Sequence, residues 1–380
     1  MTIHWCGTGL SAIPGLRRLI EQKHDVHVWN RTIDKAQAAV GDLTQNISAF
    51  DKAALDRVLQ AGDVVVSMLP GDQHVGLAEL AISKGAHFVS SSYIAPEMRA
   101  LDQAARDAGV ALVNEVGLDP GIDHLMAHDL VERYRASDAC DAQNELTFIS
   151  YCGGIPKIPN PFRYKFSWSP LGVLRALKSP SKSIRNFETL DVARPWDAIS
   201  TYDAPLPSPE SFEVYPNRDS IPFMAQYHFD PNWRVKEFVR GTLRLNGWAQ
   251  AWDGVFREIE TLSGPTGEAR LKEMSDQFWA ENAYDAGEPD RVVLCVGLKA
   301  ERDGQTVWDK TWVMDAWGDD TSTAMARLVS LPVSYAIQGV LAGDIPAGVH
   351  AAPSDPKLVA AWLDQIKTIA QHMEMVDQTS

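Results

Sequence analysis

The sequence predicts an α/β protein, a doubly wound parallel sheet at the N terminus joined to a second, α+β domain. Three observations carry this. Short apolar runs alternate with helical patterns over roughly the first 120 residues, the β-α-β rhythm of a parallel sheet. Runs such as "DVVVSMLP" are apolar throughout, as strands covered on both faces must be. Beyond Asp123 the rhythm gives way to Pro-, Ser- and aromatic-rich chain with long strand-like segments. With 380 residues the chain also exceeds one ordinary core.

Taken in order, "TIHWC" and "DVHVWN" read as strands around the helix "IPGLRRLIEQK". "KAQAAV" and "KAALDRVLQA" are helical, with "NISAF" a short strand between them. "DVVVSMLP" and "HFVSSSY" are strands separated by the helix "HVGLAELAISKG". "PEMRALDQAARDAG" is a helix and "VALVNEV" the fourth or fifth strand, ending at Glu115. The helix "HLMAHDLVERYRA" leads into "ELTFISYCGG", and "KEFVRGTLRLNG" and "RVVLCVGLKAERDGQTVWDKTWVMDA" read as strands of an antiparallel or mixed sheet. "TAMARLVSLPVSYAIQGVLAG" and "PKLVAAWLDQIKTIAQHM" read as helices. The expected boundaries are 1–122 for the doubly wound domain and 123–321 for a mixed-sheet substrate-binding and dimerisation domain. Helices from about 322 to 380 are expected to return to the first.

An apolar fraction of 45% is that of a globular enzyme-sized chain. A formal charge of -15 excludes a general nucleic-acid or anionic-membrane binder, since either needs a basic face. The start lacks a secretory pattern, and no uninterrupted apolar run is long enough to span a bilayer. Cys6, Cys140, Cys152 and Cys295 lie far apart, suggesting neither a disulfide framework nor a zinc knuckle. A reduced, cytoplasmic protein is expected, and the aromatic second half is compatible with a homodimer.

"HWCGTGLSAIPGL" places Gly7, Gly9 and Ala12 in a G-x-G-x-x-A pattern directly after a strand and opening a helix. Gly7 makes the tight turn, Gly9 leaves no side chain in the way of a pyrophosphate, and Ala12 lets the helix lie close on the sheet. Thr8, Leu10 and Ser11 complete this Rossmann-like loop, and the helix N terminus is expected to supply amide donors and a positive dipole. The end of the second strand reads Asn30, Arg31, Thr32. A carboxylate that would repel a 2′-phosphate is missing there, and Arg31 can pair with one, so NADP(H) is favoured over NAD(H). Leu69, Pro70, Ser91, Ser92, Leu118, Asp119 and Pro120 are further candidates at strand-end loops facing the cofactor.

The segments "SSYIAPEMRAL", "NEVGLDPGIDH", "SYCGGIP", "NPFRYKFSWSPLGVLRAL", "VYPNRDS" and "VRGTLR" together resemble the saccharopine reductase family, the glutamate-forming saccharopine dehydrogenases. They occur in that family's order, and the glycine loop and the C-terminal helical region extend the likeness over nearly the whole chain. The chain departs from the fungal members in carrying only a compact stretch, about residues 250–288, where they have an inserted helical domain. The resemblance implies a reversible reductive condensation in lysine metabolism. Glutamate and 2-aminoadipate 6-semialdehyde form an imine, which NAD(P)H reduces to saccharopine.

The residues suit that chemistry. A ligand with three carboxylates calls for arginines kept in a pocket, and Arg218 and Arg244 are the best placed in the sequence. The resemblance adds substrate contacts at Thr242, Leu243 and Arg244, at Ser92, and near Trp168. It also puts Tyr93, Asp119 and Cys152 at the reacting centre, as candidate catalytic groups. Asp123 reads as the N-cap of the next helix and His124 as part of its first turn; adjacent residues rarely converge, so no metal site is expected there. Hydride donor and tricarboxylate amino acid are expected to meet in a cleft between the glycine-turn domain and the tryptophan-rich half. Two other readings remain: an imine reductase of the carboxynorspermidine dehydrogenase type, whose pocket would trade an arginine for carboxylates, and a catalytically silent NADP-binding sensor.

Overall fold

The computed structural model describes residues 1–379, which fall into two compact units. Unit 1 comprises Met1–Leu125 and Ala326–Ile366; unit 2 comprises Met126–Met325 and the chain from Lys367 onward.

Unit 1 opens with β1 (Ile3–Cys6), α1 (Ile13–Glu21), β2 (Val26–Asn30), α2 (Ile33–Val40), β3 (Ile47–Ala49) and α3 (Lys52–Val58). There follow β4 (Val64–Ser67), α4 (His74–Lys84), β5 (His87–Ser90), α5 (Pro96–Arg99), α6 (Asp102–Asp107) and β6 (Ala111–Val113). The strand run that ends near Glu115 is therefore the sixth in the chain, and it stops at Val113. The single helix expected over "PEMRALDQAARDAG" is divided at Ala100–Leu101. β1 and β4 are buried along their whole length, which is why their sequences are apolar without alternation.

α7 (Ile122–Arg135) carries the chain into unit 2. There the elements are β7 (Glu145–Pro156), α8 (Pro170–Leu177), the hairpin β8 (Ser181–Arg185) and β9 (Glu188–Val192), β10 (Ser200–Ala204) and β11 (Glu210–Pro216). Next come α9 (Pro222–Gln226), β12 (Arg234–Leu245), α10 (Trp248–Thr261), α11 (Gly264–Asn282), β13 (Asp290–Arg302) and β14 (Gln305–Trp317). The compact stretch at 250–288 is thus mostly a pair of helices. α12 (Ala324–Ala342), β15 (Gly348–His350) and α13 (Pro356–Lys367) follow, and β16 (His372–Asp377) ends the chain in unit 2. The helix expected through "PKLVAAWLDQIKTIAQHM" stops at Lys367, and its tail is the strand β16 instead, hydrogen-bonded to β14.

The sheet of unit 1 has the order β15-β6-β5-β4-β1-β2-β3, with every pair parallel. Chain order reverses direction between β1 and β4, so the loops after these two strands flank the switch point where ligands of such sheets bind. The sheet of unit 2 is mixed. Its path is β10-β11-β12-β7-β13-β14-β16, with β7 and β12 parallel, the other neighbours antiparallel, and β8–β9 attached to β12. Asp303 and Gly304, both at positive φ, make the tight turn of the β13–β14 hairpin. One apolar cluster of unit 2 lies on the sheet, around Phe212, Leu243 and Val293; another, rich in aromatics, joins α8, α10 and α11.

α12 is long and apolar enough to cross a bilayer by length and composition, but it is mostly buried, as a core helix is. Its N-terminal amides at Ala324 and Met325 are capped by the buried Asp290 carboxylate, at 2.7 and 2.9 Å. Further along, its Ser330 lies against Gly15 of α1. A Cβ on Gly15 would stand 2.0 Å from the Ser330 carbonyl oxygen. Alanine usually favours a helix interior over glycine, but here the overlap forces α1 and α12 apart. Gly15→Ala is expected to destabilise the protein by about 1–3 kcal/mol, read as a lowered midpoint in chemical denaturation.

Candidate active site

At the end of β1 the chain turns at Gly7, whose φ is +104°. A Cβ there would sit 2.9 Å from the Met68 carbonyl oxygen, so glycine alone lets this turn close against the end of β4. A Cβ on Gly9 would meet nothing within 4 Å; the loop is open above it. The helix terminus offers one donor, Ile13 N–H, because Pro14 has no N–H and the Gly15 N–H donates to Ser330 Oγ at 2.9 Å. The loop before it offers more: among the described residues the amides of Gly9, Leu10, Ser11 and Ile13 make no hydrogen bond. Thr8 Oγ1 is buried without a partner. A buried orphan hydroxyl beside unspent amides is a cradle for an oxyanion.

Asn30 ties this loop to the end of β2. Its Oδ1 accepts from Thr8 N–H at 3.2 Å and its Nδ2 donates to the Thr32 carbonyl at 2.8 Å. Arg31 and Thr32 are exposed, and Arg31 forms no ion pair among the described residues. Leu69 and Pro70 follow β4, and Ser91 and Ser92 follow β5. His74, the first residue of α4, joins these two loops in a way the sequence did not announce. Its Nδ1 lies 2.8 Å from Ser67 Oγ and its Nε2 lies 2.8 Å from Ser92 Oγ. Burial pushes its pKa down to about 4.

The loop after β6 folds back on itself. A Cβ on Gly121 would meet the Gly117 carbonyl oxygen at 2.2 Å, so the two backbones touch. Leu118 and Pro120 are buried, Asp119 is half-buried, and Tyr93 Oη donates to Asp119 Oδ1 at 3.0 Å. Asp123 is not the cap residue expected. It lies inside the first turn of α7, where its Oδ1 accepts from Gly121 N–H at 2.7 Å. Asp123 and His124 do converge, on each other and on Glu115. His124 Nε2 is 3.1 Å from Glu115 Oε2, and Nδ1 is 3.4 Å from Asp123 Oδ2. Among the described residues no group of three or more His, Cys, Asp or Glu side chains is arranged to hold a metal ion.

The remaining candidates belong to unit 2. Strand register puts Tyr215 of β11 opposite Thr242 of β12, and Thr242 opposite Cys152 of β7, one row across three strands. Leu243 is fully buried. Arg244 is only 6% exposed, and its guanidinium carbon lies 4.8 Å from the ring centre of Tyr164, 5.7 Å from Tyr215 and 5.4 Å from Trp248. Among the described residues it forms no ion pair with a carboxylate; Nη1 donates to the Leu243 carbonyl at 3.3 Å and Nε has no acceptor. Burial raises the Tyr215 pKa, against the opposing effects of the Arg244 charge and of bonds to Thr242 and Arg244. Trp168 is half-buried, its ring packed on Gly172 of α8. Arg218 differs from the expectation. It lies past the end of β11, exposed, with φ +58°, and its carbonyl accepts from Lys182 N–H. Tyr164, Tyr215 and Trp248 were not singled out from sequence, where such rings read as ordinary core.

Residues 5–113 match the saccharopine dehydrogenase NADP binding domain, and residues 117–369 match the saccharopine dehydrogenase C-terminal domain. The chain belongs to the saccharopine dehydrogenase family. It is similar to the NADP(+), L-glutamate-forming saccharopine dehydrogenase of Pyricularia oryzae, 38% identical over 64% of this chain and 54% of that one. The Saccharomyces cerevisiae enzyme of the same name is 35% identical over 55% of its length, so the chain spans about half of these two relatives. The Schizosaccharomyces pombe enzyme aligns over 98% of both chains at 26% identity. Among solved structures, apo saccharopine dehydrogenase (L-Glu forming) from Saccharomyces cerevisiae superposes with a TM-score of 0.80 at 27% identity, covering 99% of each chain. A homospermidine synthase from Legionella pneumophila shares the fold, with a TM-score of 0.67 at 10% identity, covering 100% of this chain and 92% of that one.

Two outcomes are expected. Thr8→Val should leave ligand-free stability unchanged or raised, because no bond is lost, yet weaken NADP(H) binding by about 1 kcal/mol, read by fluorescence titration. The folded pKa of His74 lies below its unfolded value of 6.5. The stability it contributes is therefore complete above pH 6.5 and lost as pH falls towards 4, by about 3 kcal/mol. His74→Gln should flatten that limb of a stability–pH profile.

Proposed function

We propose that the protein is an NADP(H)-dependent saccharopine dehydrogenase of the L-glutamate-forming type, interconverting saccharopine with glutamate and 2-aminoadipate 6-semialdehyde. The observation that carries this is Arg244, a buried guanidinium held by three aromatic rings and forming no ion pair with a carboxylate among the described residues. Burying a charge unpaired is costly, so such a site is built for an anionic ligand. A substrate carboxylate can take two parallel hydrogen bonds from it.

In the forward direction the glutamate amine adds to the aldehyde carbon and water leaves, giving an imine. Hydride addition at that carbon and a proton at nitrogen then give the secondary amine. The hydride is the chemistry that NADP(H) would supply or accept when bound. Thr8 and the loop amides of unit 1 would hold its diphosphate, and Arg31, at the end of β2 where no carboxylate stands, would receive the 2′-phosphate. Tyr93 and Asp119, already hydrogen-bonded, orient the reacting nitrogen and hold its proton. Arg244, Thr242 and Cys152 hold a carboxylate end of saccharopine, and exposed Arg218 reaches a second carboxylate. A polyamine-type imine reductase would offer carboxylates to a diamine, and Arg244 argues against that. Cys6, Cys152 and Cys295 are buried; a cytoplasmic location and a homodimeric assembly remain our expectations.

Saccharopine oxidation with NADP+ and NAD+ in parallel, followed by nicotinamide absorbance, tests the reading. Turnover with higher kcat/KM for NADP+ is expected; none with either on folded, cofactor-binding protein would end it. Arg244→Lys should raise the KM for saccharopine by about tenfold or more, the worth of a lost bidentate contact, while leaving NADPH affinity within about twofold.

A further inference from the structure

Glu115, His124 and Asp123 are each buried to 4% exposure or less, and none has a role in the reaction just described. Carboxylate, imidazole and carboxylate are joined in series, 3.1 Å from Glu115 Oε2 to Nε2 and 3.4 Å from Nδ1 to Asp123 Oδ2. Burying three such groups is an expensive way to fill a core that apolar side chains could fill. Glu115 also sits at φ +55°, a backbone region that a residue with a Cβ occupies only when its surroundings enforce it.

The two ends of the series reach the two loops that carry the Tyr93–Asp119 pair. Glu115 brackets Tyr93: its backbone N–H donates to the Ser92 carbonyl at 3.0 Å and its Oε1 accepts from Ile94 N–H at 2.9 Å. At the other end Asp123 Oδ1 accepts from Gly121 N–H at 2.7 Å, two residues beyond Asp119. Between Gly117 and Gly121 the loop is closed by Gly117 N–H to the Pro120 carbonyl at 2.9 Å, so holding Gly121 holds Asp119. The chain of contacts thus runs from the residue after Tyr93, through three buried polar side chains, to the turn after Asp119.

We propose that Glu115, His124 and Asp123 are positioning residues that fix the Tyr93 phenol and the Asp119 carboxylate relative to each other, and act on the reaction only through that pair. This rests on the saccharopine dehydrogenase reading for its kinetic test and on geometry alone for its spectroscopic one. His124 bridges two carboxylates and its removal could unfold the chain, so Glu115→Gln, which keeps the acceptor for Ile94 N–H, is the companion variant.

The experiment measures kcat and KM for saccharopine, NADPH affinity, and the 19F resonance of fluorotyrosine-labelled protein assigned to position 93 by its loss in Tyr93→Phe. In His124→Gln and Glu115→Gln, kcat is expected to fall at least tenfold with NADPH affinity within threefold, and the Tyr93 resonance to shift or broaden. In a Tyr93→Phe background the same substitutions should lower kcat less than threefold, because the pair they act on is already broken. Losses of equal size in both backgrounds, or an unmoved Tyr93 resonance in folded variants, would overturn the proposal. If the unsubstituted protein does not oxidise saccharopine, the functional reading fails, and the Tyr93 resonance alone then decides the positioning role.

Discussion

A positive charge taken out of water with no ion-pair partner among the described residues is the constraint on which unit 2 turns. Arg244 lies on a strand in the middle of the mixed sheet, and the faces of Tyr164, Tyr215 and Trp248 take the place that a carboxylate would occupy in an ordinary buried ion pair. Aromatic faces stabilise a guanidinium without neutralising it. The surroundings of Arg244 therefore stay electropositive inside a chain whose formal charge is -15. The rings are supplied from three separate segments, so the packing of the aromatic core and the proposed carboxylate site are one design.

Unit 1 meets a different requirement, that backbone must come close to backbone and to a ligand. Gly7 closes against the Met68 carbonyl, Gly121 against Gly117, and Gly15 against Ser330. Each contact is set by a missing Cβ. Gly9, by contrast, has open space in the turn after β1, where a diphosphate would lie. The glycine signature read from sequence thus combines two roles, steric closure and ligand access, and coordinates are needed to separate them.

How much was legible follows from which forces are local. The strands and helices of the first 120 residues could be read one by one, because burial on both faces imposes apolar runs and helices show their own period. The short strand Gly348–His350 could not, since three residues carry no period and it exists only by pairing with β6. The switch from helix to strand after Lys367 was hidden for the same reason: β16 is held by β14, some sixty residues earlier. In the site, Arg244 was readable as an arginine in a strand motif, but its aromatic enclosure was not, because Tyr164 and Tyr215 are distant in sequence and Trp248, though near, reads as ordinary core. Asp123 was assigned to capping by its position ahead of a helix, whereas its second oxygen faces His124, a contact that depends on how α7 is turned.

The routing of the polypeptide has a consequence for its biosynthesis. The sheet of unit 1 is completed by Gly348–His350, and the sheet of unit 2 by the last strand of the chain. Neither sheet can reach its final form while translation is still in its first three hundred residues. The nascent N-terminal segment must wait on the ribosome with the open edge of β6 unsatisfied, a template for wrong pairing until its partner emerges. Chaperone occupancy during synthesis is then expected to last until Gly348–His350 has emerged, and no split of the gene between β6 and β15 would leave the sheet of unit 1 whole.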